Sequence, residues 1–273
     1  MSPVDLTLAL GTERHSGALP DHVSFSQLDL MIKCPEAWRQ RYLVGTRGVG
    51  SMALATGSTV HAGIAAIFDT LIEKPKAARA TLLEAALGAA LPEIQERGAF
   101  LDAETRDQVE MESVGLIETY LSQRPTHVKP IATEKKIEVS LPDSDIPLVG
   151  YIDCEAEGQL VEIKTSGRKI TVPTGAWKLQ AWLYQAAVPK SMEWHVLVKQ
   201  KTPLLIASAA LATPYDPIVT AKAIGLASAT LERIQQLYNE RGPEEEWPLS
   251  GILHPWACGM CDARHDCIYG SKS

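Results

Sequence analysis

The chain has 273 residues, 45% of them hydrophobic, and carries a formal net charge of -7 at pH 7. That length and apolar content suffice for one sizeable core or two modest ones, and no apolar run approaches the roughly 20 residues needed to span a bilayer. The acidic balance excludes a simple nucleic-acid coat, which is basic overall, but not an enzyme, which needs positive potential only along its groove.

The stretch through Asp21 contains Leu6, Leu8 and Leu10 but also Glu13, Arg14 and His15, so it lacks the uninterrupted apolar centre of a signal peptide. A loosely held leader over residues 1–23 and a cytoplasmic protein are expected. Ser26-Gln27-Leu28-Asp29 has the form of a capping box, and the helix it opens is interrupted or restarted by Pro35, just after Cys34. Helical spacing of apolar residues predicts helices over 56–72, 76–91 and 103–121, a helical part covering about 55–122. The period then changes to two. Strands are expected over 135–141, 146–154 and 159–165, with Pro142-Asp143-Ser144-Asp145 as a turn, in a sheet region of about 134–211. A helix over 175–187, strands over 193–198 and 204–211, and a long helix over 217–238 follow. Strands on either side of a helix imply a mixed sheet with at least one crossover. Pro243, Pro248 and Pro255 mark an extended tail leading to the last cysteines, so helix and cysteine cluster together occupy about 216–267. The class is α/β, with residues 24–273 as a single domain.

Gly150-Tyr151-Ile152-Asp153 and Glu162-Ile163-Lys164 fall on one hairpin if Glu157-Gly158 forms a two-residue turn. Pairing then counts back as Ala156 with Gln159, Glu155 with Leu160, Cys154 with Val161 and Asp153 with Glu162. Cβ atoms so placed are about 5 Å apart, and like charges there are destabilising unless neutralised. A divalent cation is the simplest neutraliser. Lys164 projects on the face of Glu162, while Ile152, Cys154, Val161 and Ile163 form the opposite, apolar face. The plainer reading is a surface hairpin whose Glu162 and Lys164 make an ordinary exposed ion pair.

Two acidic groups and a lysine on adjacent strands resemble the PD-(D/E)XK nuclease superfamily, with Ile152-Asp153 in place of its Pro-Asp step, and within it the RecB-like branch. Gly57-Ser58-Thr59-Val60-His61 is similar to that branch's Gly-x-x-x-His pattern, and Gln180-Ala181-Trp182-Leu183-Tyr184 to its Gln-x-x-x-Tyr motif, whose i, i+4 spacing stacks both groups on one helix face. Taken alone, His61 reads as an ordinary helix histidine and Tyr184 as packing. The resemblance implies a restriction-endonuclease-like core with a central mixed sheet flanked by helices and preceded by a helical insertion. It implies that His61, Asp153, Glu162 and the Ile163 carbonyl hold Mg2+ or Mn2+, that Lys164 orients the attacking water, and that Gln180 and Tyr184 position the strand. Glu134 is either a further site carboxylate or a strand-edge glutamate. Arg168, Lys169, Lys178, Lys199 and Lys201 are candidate groove cations or ordinary solvated charges. The implied activity is a DNA exonuclease preferring single-stranded ends, in repair, recombination or phage DNA processing. No Gly-x4-Gly-Lys-Ser/Thr phosphate loop is present, so unwinding would come from a helicase or annealing partner.

Cys258, Cys261 and Cys267 form a Cys-x2-Cys-x5-Cys cluster, with Cys34 far upstream. Four thiolates suit zinc or an iron-sulfur cluster, and His254 or His265 can replace a thiol in a zinc site. Spacing does not choose between them. One upstream and three terminal cysteines bracketing such a core resemble the iron-sulfur nucleases of the CRISPR-associated Cas-four type and the AddB nuclease domain, which implies a 4Fe-4S cluster clamping the ends of the domain. Disulfides are the alternative, and Cys154 is left over as a small apolar residue. Two rival readings are a non-catalytic DNA-binding or assembly module of the same fold, and a zinc-stabilised hydrolase of another fold.

Overall fold

Ser24, rather than Ser26, opens the first helix in the computed structural model of the protein, which describes residues 17–46, 51–97, 99, 101–249, 258, 261, 264 and 267. Its extended backbone lets the hydroxyl accept from the Gln27 amide at 3.3 Å, the usual reach of an N-cap. Asp29 instead pairs one turn on with Lys33 at 2.5 Å. Helix α1 (Phe25–Lys33) ends at Cys34, and Pro35 starts α2 (Pro35–Arg39), as its missing donor and fixed φ favour. A π-helical turn, Gln40–Val44, follows and stops at Gly45 with φ 87°. Residues 1–16 of the expected leader lie outside the described residues.

The described residues fall into two compact units, one drawn from Met1–Val49, Val139–Val149 and Ile224–Ser273, the other from Gly50–Glu138 and Gly150–Ala223. In the first, Met31, Trp38, Leu43, Ile234, Leu237 and Trp247 form the core, with the Trp38 and Trp247 rings stacked at 5.4 Å. Glu36 is buried there but well compensated. Arg39 donates to both its oxygens at 2.6 and 2.9 Å, and the Trp247 amide donates at 2.7 Å. The Glu36 amide donates to the Pro248 carbonyl at 3.3 Å, so the tail is tied to α2 at both main chain and side chain.

The second unit holds α3 (Met52–Glu73), α4 (Arg79–Arg97) and α5 (Ala103–Gln123). The expected stop of α4 at Leu91 is corrected: the helix runs through Pro92, and Ile94 beyond it packs with Ala55 and Val109. Burial of that apolar side chain outweighs the lost hydrogen bond. Val60, Ile64, Ile67, Phe68, Leu116, Ile117 and Tyr120 pack with Cys154, Val161 and Ile163 of the sheet, the apolar face that alternation predicts.

The five strands lie in the order β1 (Pro130–Val139), β2 (Leu148–Ala156), β3 (Gln159–Ser166), β4 (Ser191–Val198), β5 (Leu204–Ile206). β2–β3 and β4–β5 are antiparallel. β3–β4 is parallel, joined through α6 (Gly175–Gln185). This is the mixed sheet with a crossover that the sequence implies. β5 is shorter than expected: the chain leaves it after Ile206 and Ala209–Leu211 makes a 3-10 turn, in keeping with alanine's weak preference for strands. Helix α7 (Pro217–Arg241) is capped by Asp216, which accepts from the Ile218 and Val219 amides. Among the described residues no helix is long and apolar enough to cross a membrane.

Behind the sheet, His195 is fully buried, its Nδ1 2.9 Å from the Tyr120 hydroxyl and its Nε2 3.1 Å from Glu193, which also takes His127 at 3.0 Å and Gln159 at 2.7 Å. A carboxylate only accepts, so His195 Nε2 carries the proton. Burial raises the Glu193 pKa, but the bonds from His195 and His127 outweigh it and leave it at about 2, against 4.5 for the free group. A depressed folded-state value adds stability above pH 4.5 that is lost as pH falls through 2, at most about 3 kcal/mol. Denaturant titrations at pH 7 and pH 3 should show Glu193→Gln losing less stability between the two than the parent chain. Equal losses would remove this account.

Candidate active site

Cys154↔Val161 and Glu155↔Leu160 are the observed Cα partners of the hairpin, the register that a Glu157-Gly158 turn predicts. At the next position the Asp153 carboxylate itself crosses between the strands, and its Oδ2 accepts from the Ile163 amide at 2.7 Å. Glu162 and Lys164 point the other way from Val161 and Ile163, toward α6. There Lys164 Nζ donates to Glu162 Oε1 at 2.9 Å and to Gln180 Oε1 at 3.1 Å, while Gln180 Nε2 donates to Glu162 Oε1 at 2.6 Å. The three side chains close a triangle. Gln180 is expected from the sequence to meet the strand, yet it is buried and both ends of its amide are engaged by Glu162 and Lys164.

His61 comes from α3, its Nδ1 3.4 Å from Asp153 Oδ1. Together with Gly57, Ser58, Glu134, Asp153 and Thr165 it lines a cavity of about 670 Å3. Glu134, on β1, holds φ 44°, a left-handed conformation that a non-glycine residue adopts only under constraint from its surroundings. That twist turns the residue into the cavity. The sequence offers Glu134 as a candidate carboxylate but no signal for this φ, which is imposed by neighbours rather than by residue type.

The charges are unevenly held. For Asp153, burial alone would raise the pKa, but His61, Lys164 and the Ile163 amide bring it below the usual carboxylate range. For Glu162, burial and the Asp153 charge push it up to about 7 despite Lys164. Burial works against protonated His61 and Lys164, yet the same carboxylates raise both. Glu134 is raised by burial and by Asp153. One carboxyl is thus ionised and its neighbour keeps a proton to near neutrality, a separation typical of sites built for acid-base or metal chemistry. Glu162 Oε2 is buried with no hydrogen-bond partner. An orphaned buried carboxylate oxygen is costly, and a hard divalent cation, which prefers oxygen ligands, would satisfy it, though His61, Asp153 and Glu162 are not gathered into a three-ligand group among the described residues.

Tyr184 lies one turn beyond Gln180 on α6 and packs on Gly150, where an added Cβ would fall 2.6 Å from Tyr184 Cε1 and 2.9 Å from Cζ. Burial raises the phenol pKa, so the ring stays neutral. Gly150→Ala should displace Tyr184, and with it Gln180, lowering kcat about tenfold or more and stability by about 1–3 kcal/mol. Parallel rate and melting measurements check both.

Four of the five groove candidates follow the carboxyl ends of the inner parallel strands β3 and β4. Arg168 and Lys169 follow β3, whose Ser166 carbonyl accepts from the Lys199 amide at 2.7 Å, and Lys201 comes two residues later; all lie near the carboxyl ends of the parallel pair. Lys199 Nζ is 4.0 Å from Glu112. Lys178 lies on α6, two residues before Gln180. Sequence reasoning missed Trp177 and Trp194, stacked at 5.2 Å, with Trp194 beside Lys164; the helix period puts Trp177 on the Gln180 face, but Trp194 is brought there by the parallel β3–β4 register, which no local pattern marks.

Cys34, Cys258, Cys261 and Cys267 are half-buried, and among the described residues no group of three His, Cys, Asp or Glu side chains is placed to hold a metal ion. The iron-sulfur clamp expected from the sequence is therefore not displayed. The Cys261 amide does donate to the Cys258 carbonyl at 3.2 Å, closing a turn. His254 and His265 lie outside the described residues. Cys154 is buried as expected, its thiol pushed up to about 12 by burial.

The family model of the PD-(D/E)XK nuclease superfamily matches residues 22–268, and the chain belongs to that superfamily, whose nucleases typically use Mg2+ or Mn2+. Among solved structures, a protein from Eubacterium rectale described as "Putative exonuclease" is similar over 81% of this chain and 82% of its own, at 13% identity and a TM-score of 0.55, which shows a shared fold. The protein SSO0001 is similar over 96% of this chain and 93% of its own, at 13% identity and a TM-score of 0.41, too loose a likeness to argue from. No curated protein matches the chain.

Proposed function

We infer that this nuclease is an exonuclease that hydrolyses phosphodiester bonds of DNA from single-stranded ends, in repair, recombination or phage DNA processing. The observation that carries the catalytic reading is the Glu162 carboxyl, which takes Lys164 on one oxygen and is buried without a donor on the other, with the Asp153 carboxylate bonded to the next residue's amide, that of Ile163. Asp153 and Glu162, with His61 and the Ile163 carbonyl, would hold Mg2+ or Mn2+, which when bound polarises the scissile phosphate and lowers the pKa of a water. Lys164 orients the attacking water and offsets the negative charge that develops on phosphate oxygen. Gln180 fixes the Glu162–Lys164 pair from α6, and Tyr184 seats that helix against Gly150. Arg168, Lys169, Lys178, Lys199 and Lys201 supply positive potential for the backbone. Any unwinding would be supplied by a helicase or annealing partner. Incubation with end-labelled single-stranded, double-stranded and circular DNA, with Mn2+ or with chelator, tests activity, metal need and end dependence together. Cleavage of circles, or cleavage in chelator, overturns the assignment.

The cysteines support a second reading, a 4Fe-4S cluster on Cys34, Cys258, Cys261 and Cys267, with structural zinc as its rival. In its favour, Cys34 stands at the α1–α2 break two residues before Glu36, which binds the tail at Trp247 and Pro248. Iron with labile sulfide after anaerobic purification supports the cluster, and stoichiometric zinc in a colourless protein refutes it.

A further inference from the structure

The Lys164 ammonium has a neighbour besides Glu162 and Gln180: the ring of Trp194, whose centroid lies 5.6 Å from Nζ. That separation is within the range at which a cation is drawn to the face of an indole, the strongest of the aromatic partners. Trp194 is the β4 partner of Glu162 in the parallel ladder and is fully buried. Its ring plane is held twice. The indole N–H donates to Thr213 Oγ1 at 3.0 Å, and Trp177 stacks on it at 5.2 Å with 24° between the planes. Trp177 stands one turn before Gln180 on α6, so one helix face carries both the amide that bonds Lys164 and the indole that steadies Trp194. A lysine that merely covered apolar surface would lay its methylene stem on the ring and keep its ammonium in water. Here the ammonium itself is over the ring and joined to two buried acceptors.

We propose that Trp194, braced by Trp177, is a positioning residue for the Lys164 ammonium. The inference rests on the proposed catalytic role of Lys164. Two oxygen acceptors alone leave the ammonium free to swing about the line joining them. The ring closes that side and directs the remaining N–H away from the sheet, where the attacking water and phosphate are expected.

The test separates a π face from bulk. Trp194→Phe keeps an aromatic face, whereas Trp194→Met keeps much of the volume without one. With single-stranded DNA and Mn2+, Trp194→Phe should hold kcat within about threefold and Trp194→Met should lower it about tenfold or more, at an unchanged KM for both. Equal losses in the two variants, or losses that track their melting temperatures, would reduce the indole to a core filler. A second readout needs no activity: the Lys164 Cε protons, assigned by their loss in Lys164→Ala, should be shifted upfield by the ring current in DNA-free protein. The shift should persist in Trp194→Phe and vanish in Trp194→Met. If Trp194→Met does not fold, Trp177→Met at the half-buried partner should weaken the shift and lower kcat about threefold, and no change in either quantity overturns the proposal. An intact ring-current shift in a protein that cleaves no DNA would count against the functional reading and leave the positioning contact standing.

Discussion

Lys164→Ala is expected to lower kcat for DNA cleavage by about 10² to 10³, the loss that follows removal of one preorganised charge-stabilising donor. The ammonium is held between Glu162 and Gln180 before any substrate arrives, so no reorganisation accompanies the reaction. Its removal also leaves the buried Glu162 carboxyl with Gln180 as its remaining donor, next to ionised Asp153. The variant should therefore hold its Glu162 proton to still higher pH, and its rate is compared with the parent's over a pH series so that this change is separated from the loss of the ammonium. Circular dichroism should match the parent chain, because Val161 and Ile163, not Lys164, carry the packing of β3. An unaltered rate with an unaltered fold would remove Lys164 from the chemistry.

Metal binding is expected to displace a proton below neutrality. The Glu162 carboxyl sits at about 7 in the fold against 4.5 for the free group. The folded chain thus keeps a proton between those values that the unfolded chain has released, so without added metal stability falls as pH rises from 4.5 to 7 and levels off above, by at most about 3 kcal/mol. A divalent cation at Glu162 competes with that proton. Its apparent affinity should rise up to about tenfold per pH unit below 7 and flatten above, because one proton is exchanged per ion bound. Glu162→Gln should abolish the pH slope, raise the melting temperature in chelator at pH 8 and cut metal affinity by about 10² or more. Thermal shifts with Mn2+ and with chelator at pH 6 and pH 8 report all three. An affinity that does not change between pH 5.5 and 7 would separate Glu162 from the ion.

Much of this site was legible because it is local. A two-residue turn and the period of a strand place Glu162 and Lys164 on one face and Val161 and Ile163 on the other, and a helical period aligns Gln180 with Tyr184. Those relations follow from backbone geometry that neighbours scarcely alter. The Asp153 bond to the Ile163 amide was less accessible, since alternation says which face a side chain takes but not that a carboxylate will reach across to the next strand. The helix through Pro92 escapes a local reading for a related reason: it depends on what lies opposite, where Ile94 finds a buried place.

The sequence by itself determined the order of elements, the mixed sheet and the apolar face of the hairpin. Only the tertiary structure decided how the site residues are used. It turned the Gln180 amide onto Glu162 and Lys164, twisted Glu134 into the cavity beside His61, set Trp194 under the lysine and left one Glu162 oxygen without a donor. Periodicity is written in bonds between residues near in the chain. Burial, protonation and the direction of a side chain depend on atoms brought together from α3, β1, α6 and β4, and no local pattern encodes their distances.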